Sequence, residues 1–171
     1  MKIEFGGGEK PKSGFKSCDV RKLPNVDYVC NAWEITNFVN ADSVDMIYSR
    51  HFFEHLTYIE VNWTLDAWKN ILTNNGTLII IVPDMLFHIQ QWLNPNRKKI
   101  NDPKKMCDEE WAIKSIWGHQ RETEKGEIWD VHKSGYDFEL LKDKLEEFGF
   151  KNISRIKDKP KNLHVQAKKY D

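Results

Sequence analysis

The feature that most constrains the fold is the continuous apolar run GTLIIIVPD at residues 76–84. From Leu78 to Val82 apolar and polar side chains do not alternate. A strand without alternation is covered on both faces, as the central strands of parallel sheets are. Asparagines precede the run and Pro83 ends it, which is typical of strand boundaries. The run predicts an α/β protein with a buried, parallel central strand.

The segment before this run has the period of an amphipathic helix. One row of apolar residues recurs every four positions and a second row lies beside it: Ile59, Trp63, Ala67 and Ile71, then Leu65, Trp68 and Leu72. Gly76 follows as the expected helix end. Upstream, SVDMIYSRHFF at residues 43–53 predicts another strand. A strand, a helix and a strand in this order predict a right-handed crossover between parallel strands.

The rest of the chain adds short strands near its start, and a helix with two strands near its end. KIEFG, GFKSCDV and VDYVCNA predict three strands whose connections are too brief for full helices. DFELLKDKLEEFGF predicts a helix with Asp137 as its N-cap and Gly149 as its C′ residue. KNISRIK and NLHVQAKK predict a closing pair of strands.

Length, charge and cysteine content narrow the class of protein. The 171 residues suit a single domain spanning residues 1–171, in which the irregular stretch at about 94–134 predicts a lid or insertion over the sheet. Basic and acidic residues number 26 each, which argues against a nucleic-acid or membrane partner. Without an apolar stretch of about 18 residues or a signal-peptide layout, the chain is expected to be cytoplasmic. Cys18, Cys30 and Cys107 support neither a disulfide framework nor a zinc site, and we predict no metal.

Polar or small residues stand where each predicted parallel strand ends. They are Gly6, Gly7 and Gly8, then Asp19, then Asn31 and Ala32, then Arg50 and His51, and last Asp84. Ligands of open α/β sheets bind at this edge, near the point where the strand order reverses. Glycines let a ligand approach the backbone, a carboxylate can accept both ribose hydroxyls, and an amide can pair with an adenine edge. Their order predicts an adenosine-containing ligand, although a glycine run by itself is more typical of a tight turn.

In this order the motifs resemble those of the class I S-adenosylmethionine-dependent methyltransferases. IEFGGG resembles the family's first motif, CDV its ribose-binding acidic motif and CNAWEI its adenine motif. SVDMIYSRHFFEHL resembles the fourth-strand motif, and LTNNGTLIIIVPD resembles the turn and strand that follow. The resemblance covers about residues 3–84 and continues more loosely through GHQ, HKSG and LEEFGF. It implies a small, N-terminally shortened, methyltransferase type 11-like protein with a Rossmann-like α/β fold, whose twisted sheet is mostly parallel with an antiparallel C-terminal strand.

The same resemblance implies S-adenosylmethionine as cofactor and S-adenosylhomocysteine as product. It assigns the methionine moiety to Glu4, Gly6, Gly7 and Gly8, the ribose to Asp19, the adenine to Asn31 and the backbone of Ala32, and the sulfonium side to Arg50 and His51. Glu54 and His55 are either part of a helix cap or ligand contacts. Only EKPKSGFKSC separates Gly8 from Asp19, so the first helix of the family is missing or reduced.

Candidate residues for the methyl acceptor lie mainly in the predicted lid. His51, His119 and His132 are candidate general bases, because histidine titrates near neutral pH, and His119 and His132, which lie in the predicted lid, are the favoured pair. In the structural alternative, Gly118 ends the helix predicted by DEEWAIKSIW, leaving His119 at that helix end, and HKSGYD caps the next helix. The candidate substrate-binding residues are Asp84, Gln120 and Lys133. Three tryptophans either line an acceptor pocket or belong to the core: Trp111, Trp117 and Trp129.

The resemblance implies an enzyme that transfers a methyl group to a small-molecule or sugar-like acceptor. The alternative is a catalytically silent relative that binds the cofactor or a partner through the same sheet. A nucleic-acid methyltransferase is disfavoured, because VPDM lacks the Asn/Asp-Pro-Pro-aromatic pattern of enzymes that methylate amino groups of DNA bases.

Overall fold

The computed structural model describes residues 1–95, 108–121 and 126–170. Within these residues the strands are β1 (Lys2–Phe5), β2 (Lys16–Asp19), β3 (Tyr28–Val29), β4 (Val44–Arg50), β5 (Leu72–Pro83), β6 (Phe150–Arg155) and β7 (Asn162–Lys169). They form one sheet with the order β3-β2-β1-β4-β5-β7-β6. β1 to β5 pair in parallel, whereas β7 runs antiparallel to β5 and β6. The predicted α/β fold with a mostly parallel sheet and an antiparallel C-terminal strand is confirmed.

The helices follow the predicted segments. Those of the described residues are α1 (Tyr58–Ile71), α2 (Met85–Leu93), α3 (Asp108–Trp117) and α4 (Phe138–Glu147), with short 3-10 helices at Ala32–Asn37 and Phe53–His55. Asp137 caps α4 by accepting from Leu140 N at 2.9 Å, and Gly149 follows with a φ of 77°, as predicted. None of the described helices is long and apolar enough to cross a membrane.

Helix α1 buries Leu65 and Trp68 of its second predicted apolar row, but only the C-terminal half of the first row, Ala67 and Ile71. Leu65, Trp68 and Ile71 are fully buried, whereas Ile59 and Trp63 are more than half exposed. A helix on the face of a sheet has only one side to bury, and that side here carries Trp68. The Trp68 ring packs on Phe5 of β1, with the ring centroids 4.7 Å apart. This contact fixes the helix over the strand that leads into the glycine run.

The junction of α1 and β5 differs from the prediction. Helix α1 ends at Ile71 and Leu72 is already extended, so the predicted helix end at Gly76 is wrong. Gly76 instead lies inside β5, just after Asn75, whose φ is 65°. The pairing of β4 with β5 shifts between Val44 and Met46, which takes up the polar residues before the apolar run. From Thr77 onward the run pairs regularly on both sides.

The topology opens a crevice beside β1. The chain moves outward from β1 through β2 to β3 and returns to β4 on the other side of β1. The strand order reverses there, which is where open α/β sheets bind ligands. Residues 6–15 contain no helix, so the predicted loss of the first helix is confirmed. The Glu4 carboxylate accepts a hydrogen bond from Lys12 N and holds this loop against β1.

Candidate functional site

A cavity of about 530 Å³ opens at the carboxyl ends of β1 and β2. Pockets for small ligands commonly measure about 300–1,000 Å³. Five of the predicted cofactor residues line this first cavity: Gly6, Asp19, Asn31, Ala32 and His51. Lys133, predicted to bind substrate, lines it as well. The predicted lid also contributes Arg121, Glu127, Ile128, Trp129 and Asp130.

Asp19, the predicted ribose ligand, lines the first cavity and is engaged by Arg21. Its carboxylate is 5% exposed. Arg21 N and Nε donate to Oδ1 at 2.9 and 3.0 Å, and Nη2 donates to Oδ2 at 3.0 Å. These bonds raise the pKa of Arg21. The guanidinium therefore engages both carboxylate oxygens, and the Arg21 side chain is 39% exposed.

Asn31 precedes the 3-10 helix at Ala32–Asn37 and lines the first cavity. Its backbone N and its Nδ2 both donate to Glu34 Oε2 at 3.0 Å. This pairing orients the amide, whose oxygen is by its chemistry a hydrogen-bond acceptor. An adenine amino group is a donor of the right kind. Ala32 beside it is buried.

The glycine run serves packing more than ligand approach. Gly6 has a φ of 74°, and a Cβ atom there would lie 2.5 Å from Cβ of Phe52. A Cβ atom at Gly7 would lie 2.8 Å from Glu4 Oε2. Neither Glu4, Gly7 nor Gly8 lines either of the two cavities described here. Of the four residues assigned to the methionine moiety, only Gly6 therefore faces the first cavity.

Three more predicted residues lie outside both cavities: Arg50, Asp84 and Gln120. Asp84 has structural partners, since its Oδ1 accepts from two backbone N–H groups of α2 and its Oδ2 pairs with Arg155 Nη2 at 2.5 Å. Gln120 turns back on the lid, and its Nε2 donates to Trp117 O at 3.2 Å. Substrate contacts by these residues stay a prediction.

A second cavity of about 390 Å³ brings the two predicted base candidates together. His119 and His132 both line it, together with His51 at the end of β4. The bridge between Gly118 and Val131 joins the end of α3 to the His132 segment, and His132 N donates to Trp117 O at 3.2 Å. The two cavities adjoin, because both are lined by His51, His55, Arg121 and Asp130.

Both candidate bases have lowered pKa values. Partial desolvation lowers the pKa of His119, although the residue is exposed, and the charges of Arg121 and Lys114 lower it further. Burial also lowers the pKa of His132, against the opposing effect of Glu54. A lowered pKa keeps an imidazole neutral near pH 7, the form that can accept a proton.

The three lid tryptophans are not core residues. Trp111, Trp117 and Trp129 are 36%, 55% and 41% exposed. Trp111 lines the second cavity, edge-on to His119 at 6.1 Å, and Trp129 lines the first. Trp117 lines neither cavity.

The structure also assembles groups that sequence reasoning did not connect. Cys18 and Cys30 line the first cavity with their sulfurs 3.6 Å apart, because β2 and β3 are neighbours. Glu54, His55 and His132 place ligand atoms within 4.8 Å of one another. HFFEHL indicated the first two of these residues, but nothing local to the sequence linked them to His132.

No protein-family model and no curated protein sequence matches the chain. Solved structures do match it. A SAM-dependent methyltransferase from Archaeoglobus fulgidus aligns with a TM-score of 0.62 and 15% identity, over 98% of this chain and 85% of that one. One from Mesorhizobium loti aligns with a TM-score of 0.61 and 14% identity, over 98% and 90%.

A third matching structure was solved with bound ligands. The 1,6-didemethyltoxoflavin-N1-methyltransferase of Burkholderia thailandensis, solved with its substrate and S-adenosylhomocysteine, aligns with a TM-score of 0.58 and 13% identity. The alignment covers 99% of this chain and 71% of that one. Together these matches show that the chain has the fold of the class I S-adenosylmethionine-dependent methyltransferases. The type 11 resemblance stays a prediction.

Proposed function

We propose that the protein is an S-adenosylmethionine-dependent methyltransferase acting on a small-molecule or sugar-like acceptor. The observation that carries the proposal is the pair of adjoining cavities at the carboxyl edge of the sheet. The first has acceptor groups suited to an adenosine, and the second has histidines suited to proton removal. His51 lies at the boundary of the two.

The adenosine half of the cofactor fits the residues present. Asp19 offers a buried carboxylate for the ribose hydroxyls once Arg21 turns away, and Asn31 offers its amide oxygen to the adenine amino group. When bound, S-adenosylmethionine supplies a methyl group on a sulfonium. The chain's own task is then to align the acceptor, exclude water and remove a proton.

The lid supplies the acceptor side of this proposal. Residues 108–121 and 126–134 lie within it, and their Trp111 and Trp129 rings line the second and first cavities. We assign the removal of a hydroxyl proton to at least one of His119 and His132. Lys133, whose Nζ lies 3.8 Å from Glu60, stands at the first cavity as a candidate polar contact for the acceptor.

Replacing Asp19 with alanine is expected to weaken S-adenosylhomocysteine binding by about 1–3 kcal/mol, roughly 5- to 150-fold. The ribose hydroxyls would lose a charged acceptor in a buried site. Isothermal titration calorimetry measures the change. Asp45→Ala is the matched control, because Asp45 is an exposed carboxylate paired with the N-terminal amine. Equal affinity in Asp19→Ala and the parent would contradict the ribose assignment.

Replacing Arg21 with methionine is expected to strengthen S-adenosylhomocysteine binding by up to about fivefold. An ion pair with one exposed partner contributes up to about 1 kcal/mol, and its loss frees both oxygens of Asp19. The same titration measures the change, with the exposed neighbour Lys22→Met as control. Weaker binding in Arg21→Met would show instead that the guanidinium holds the cofactor.

Methyl transfer itself is tested by the release of S-adenosylhomocysteine from S-adenosylmethionine with a panel of sugars and small hydroxylated acceptors. Turnover of any acceptor supports the enzyme. Tight binding of S-adenosylhomocysteine without turnover across the panel would favour the catalytically silent alternative.

A further inference from the structure

We propose that Glu54, His55 and His132 form a binding site for a divalent transition-metal ion of the zinc class. One ligand atom from each lies within 4.8 Å of the others. Glu54 and His55 belong to the 3-10 helix after β4, and His132 belongs to the lid segment. The site does not depend on the proposed methyl transfer.

The hydrogen bonds of His55 and His132 leave one nitrogen of each ring available to bind a metal ion. His55 Nδ1 lies 3.0 Å from Val131 O, and His132 Nδ1 lies 2.9 Å from Ser115 O. A backbone carbonyl can only accept, so both Nδ1 atoms carry the hydrogen. Each neutral ring then presents an Nε2 lone pair. Metal-binding histidines typically donate their other N–H in this manner, which fixes the tautomer and the ring plane.

The carboxylate between the rings needs a positive partner. Glu54 is 1% exposed, and within the described residues its Oε2 has no hydrogen-bond partner. Its Oε1 lies 4.0 Å from His132 Nε2. Two acceptors that face each other in a buried site are unfavourable without a cation or a proton between them. A metal ion would satisfy both atoms.

The backbone holds the two parts of the cluster in place. Lys133 N and Ser134 N donate to Glu54 O at 2.8 and 3.1 Å, which ties the His132 segment to the 3-10 helix. The His55 and His132 rings stand edge to face with centroids 4.9 Å apart. Bonds of about 2.0–2.1 Å to zinc require donor atoms about 3.3 Å apart, so small side-chain rotations close the site.

The donor set indicates which ion fits. Two imidazole nitrogens and one carboxylate suit zinc and its transition-metal neighbours, whereas magnesium and calcium prefer oxygen ligands. Three protein ligands leave a coordination position open. Glu54, His55 and His132 all line the second cavity, so an ion held by them would border the proposed acceptor site. His51 Nδ1, 3.3 Å from Glu54 Oε1, is a further nitrogen at the same carboxylate.

Zinc titration of the full-length protein, freed of any affinity tag and treated with a chelator, tests the proposal. Calorimetry is expected to show one equivalent of zinc bound, with magnesium at least 100-fold weaker. Cobalt(II) is expected to give visible d–d absorption that zinc abolishes. Neither readout needs methyl transfer, so a failure of the proposed function would leave this result unaffected.

Glu54→Gln and His132→Ala are expected to weaken zinc binding more than the roughly 10- to 100-fold that loss of a supporting partner costs. Glu54→Gln keeps the side-chain shape, and a thermal melt checks that each variant is folded. His88→Ala is the control, since His88 is a buried histidine of the same cavity outside the cluster. Absence of saturable zinc binding in the folded parent, or unchanged binding in both variants, would overturn the proposed site. A proton, rather than a metal ion, would then lie between Glu54 Oε1 and His132 Nε2.

Discussion

Replacing Gly6 with alanine is expected to lower the free energy of unfolding by roughly 2–5 kcal/mol. Gly6 has a φ of 74°, and its new Cβ atom would lie 2.5 Å from Cβ of Phe52. A left-handed backbone costs a non-glycine residue about 1–2 kcal/mol, and overpacking costs about 1–3 kcal/mol. Chemical denaturation of the parent and the variant measures the difference.

Gly14→Ala separates the two contributions. Gly14 has a φ of 80°, but a Cβ atom there would meet no heavy atom within 4 Å. Its substitution is expected to show the backbone cost alone, about 1–2 kcal/mol. In a Phe52→Gly background, which lacks the Phe52 Cβ atom, Gly6→Ala should lose the overpacking share of its cost. If Gly6→Ala costs no more than Gly14→Ala, packing against Phe52 is not why a glycine stands at this position.

Gly6 packs against a residue at the end of the neighbouring strand. Phe52 follows β4, lines the first cavity and packs on Phe5 and Trp68, with ring centroids 6.4 Å from each. The lack of a side chain at Gly6 therefore lets the Phe52 side chain approach the backbone closely. This contact joins the tips of β1 and β4 at the point where the strand order reverses.

The fold could be predicted because its determinants are local. The run at Leu78–Val82 specifies a strand covered on both faces, and the α4 caps at Asp137 and Gly149 follow from side-chain size and backbone freedom. The end of α1 was predicted wrongly because Gly76 resembles a helix C′ residue. The bulge at Asn75 depends on pairing with β4, which local sequence does not reveal.

The candidate site could be predicted only in part, because its contacts depend on which side chains meet. Asp19 and Asn31 follow from strand order alone, and they line the first cavity. The ion pair between Arg21 and Asp19 could not be predicted, because a flexible arginine side chain can reach many alternative partners. The meeting of Glu54 with His132 requires the lid to return to the end of β4, which no motif near either residue encodes.

The proposed base and the proposed metal site, taken together, would give His119 and His132 different roles. A metal ion on His132 Nε2 would take the lone pair that a base needs. His119 lies in the same cavity outside the metal cluster, and within the described residues neither of its ring nitrogens has a hydrogen-bond partner. Proton removal would then fall to His119 when the metal is bound.

Replacing His119 with alanine is expected to lower turnover by about a hundred- to ten-thousandfold, the range for general-base catalysis. S-adenosylhomocysteine affinity is expected to stay unchanged, because His119 does not line the first cavity. Partial desolvation lowers the pKa of His119 from its ordinary value, so the parent should lose kcat/KM only on the acidic side of the usual histidine range. The variant should lack this acidic limb. His164→Ala, a histidine outside both cavities, is the control. If His119→Ala keeps the parent's turnover and acidic limb, His119 is only a helix-end residue and Gly118 merely ends α3.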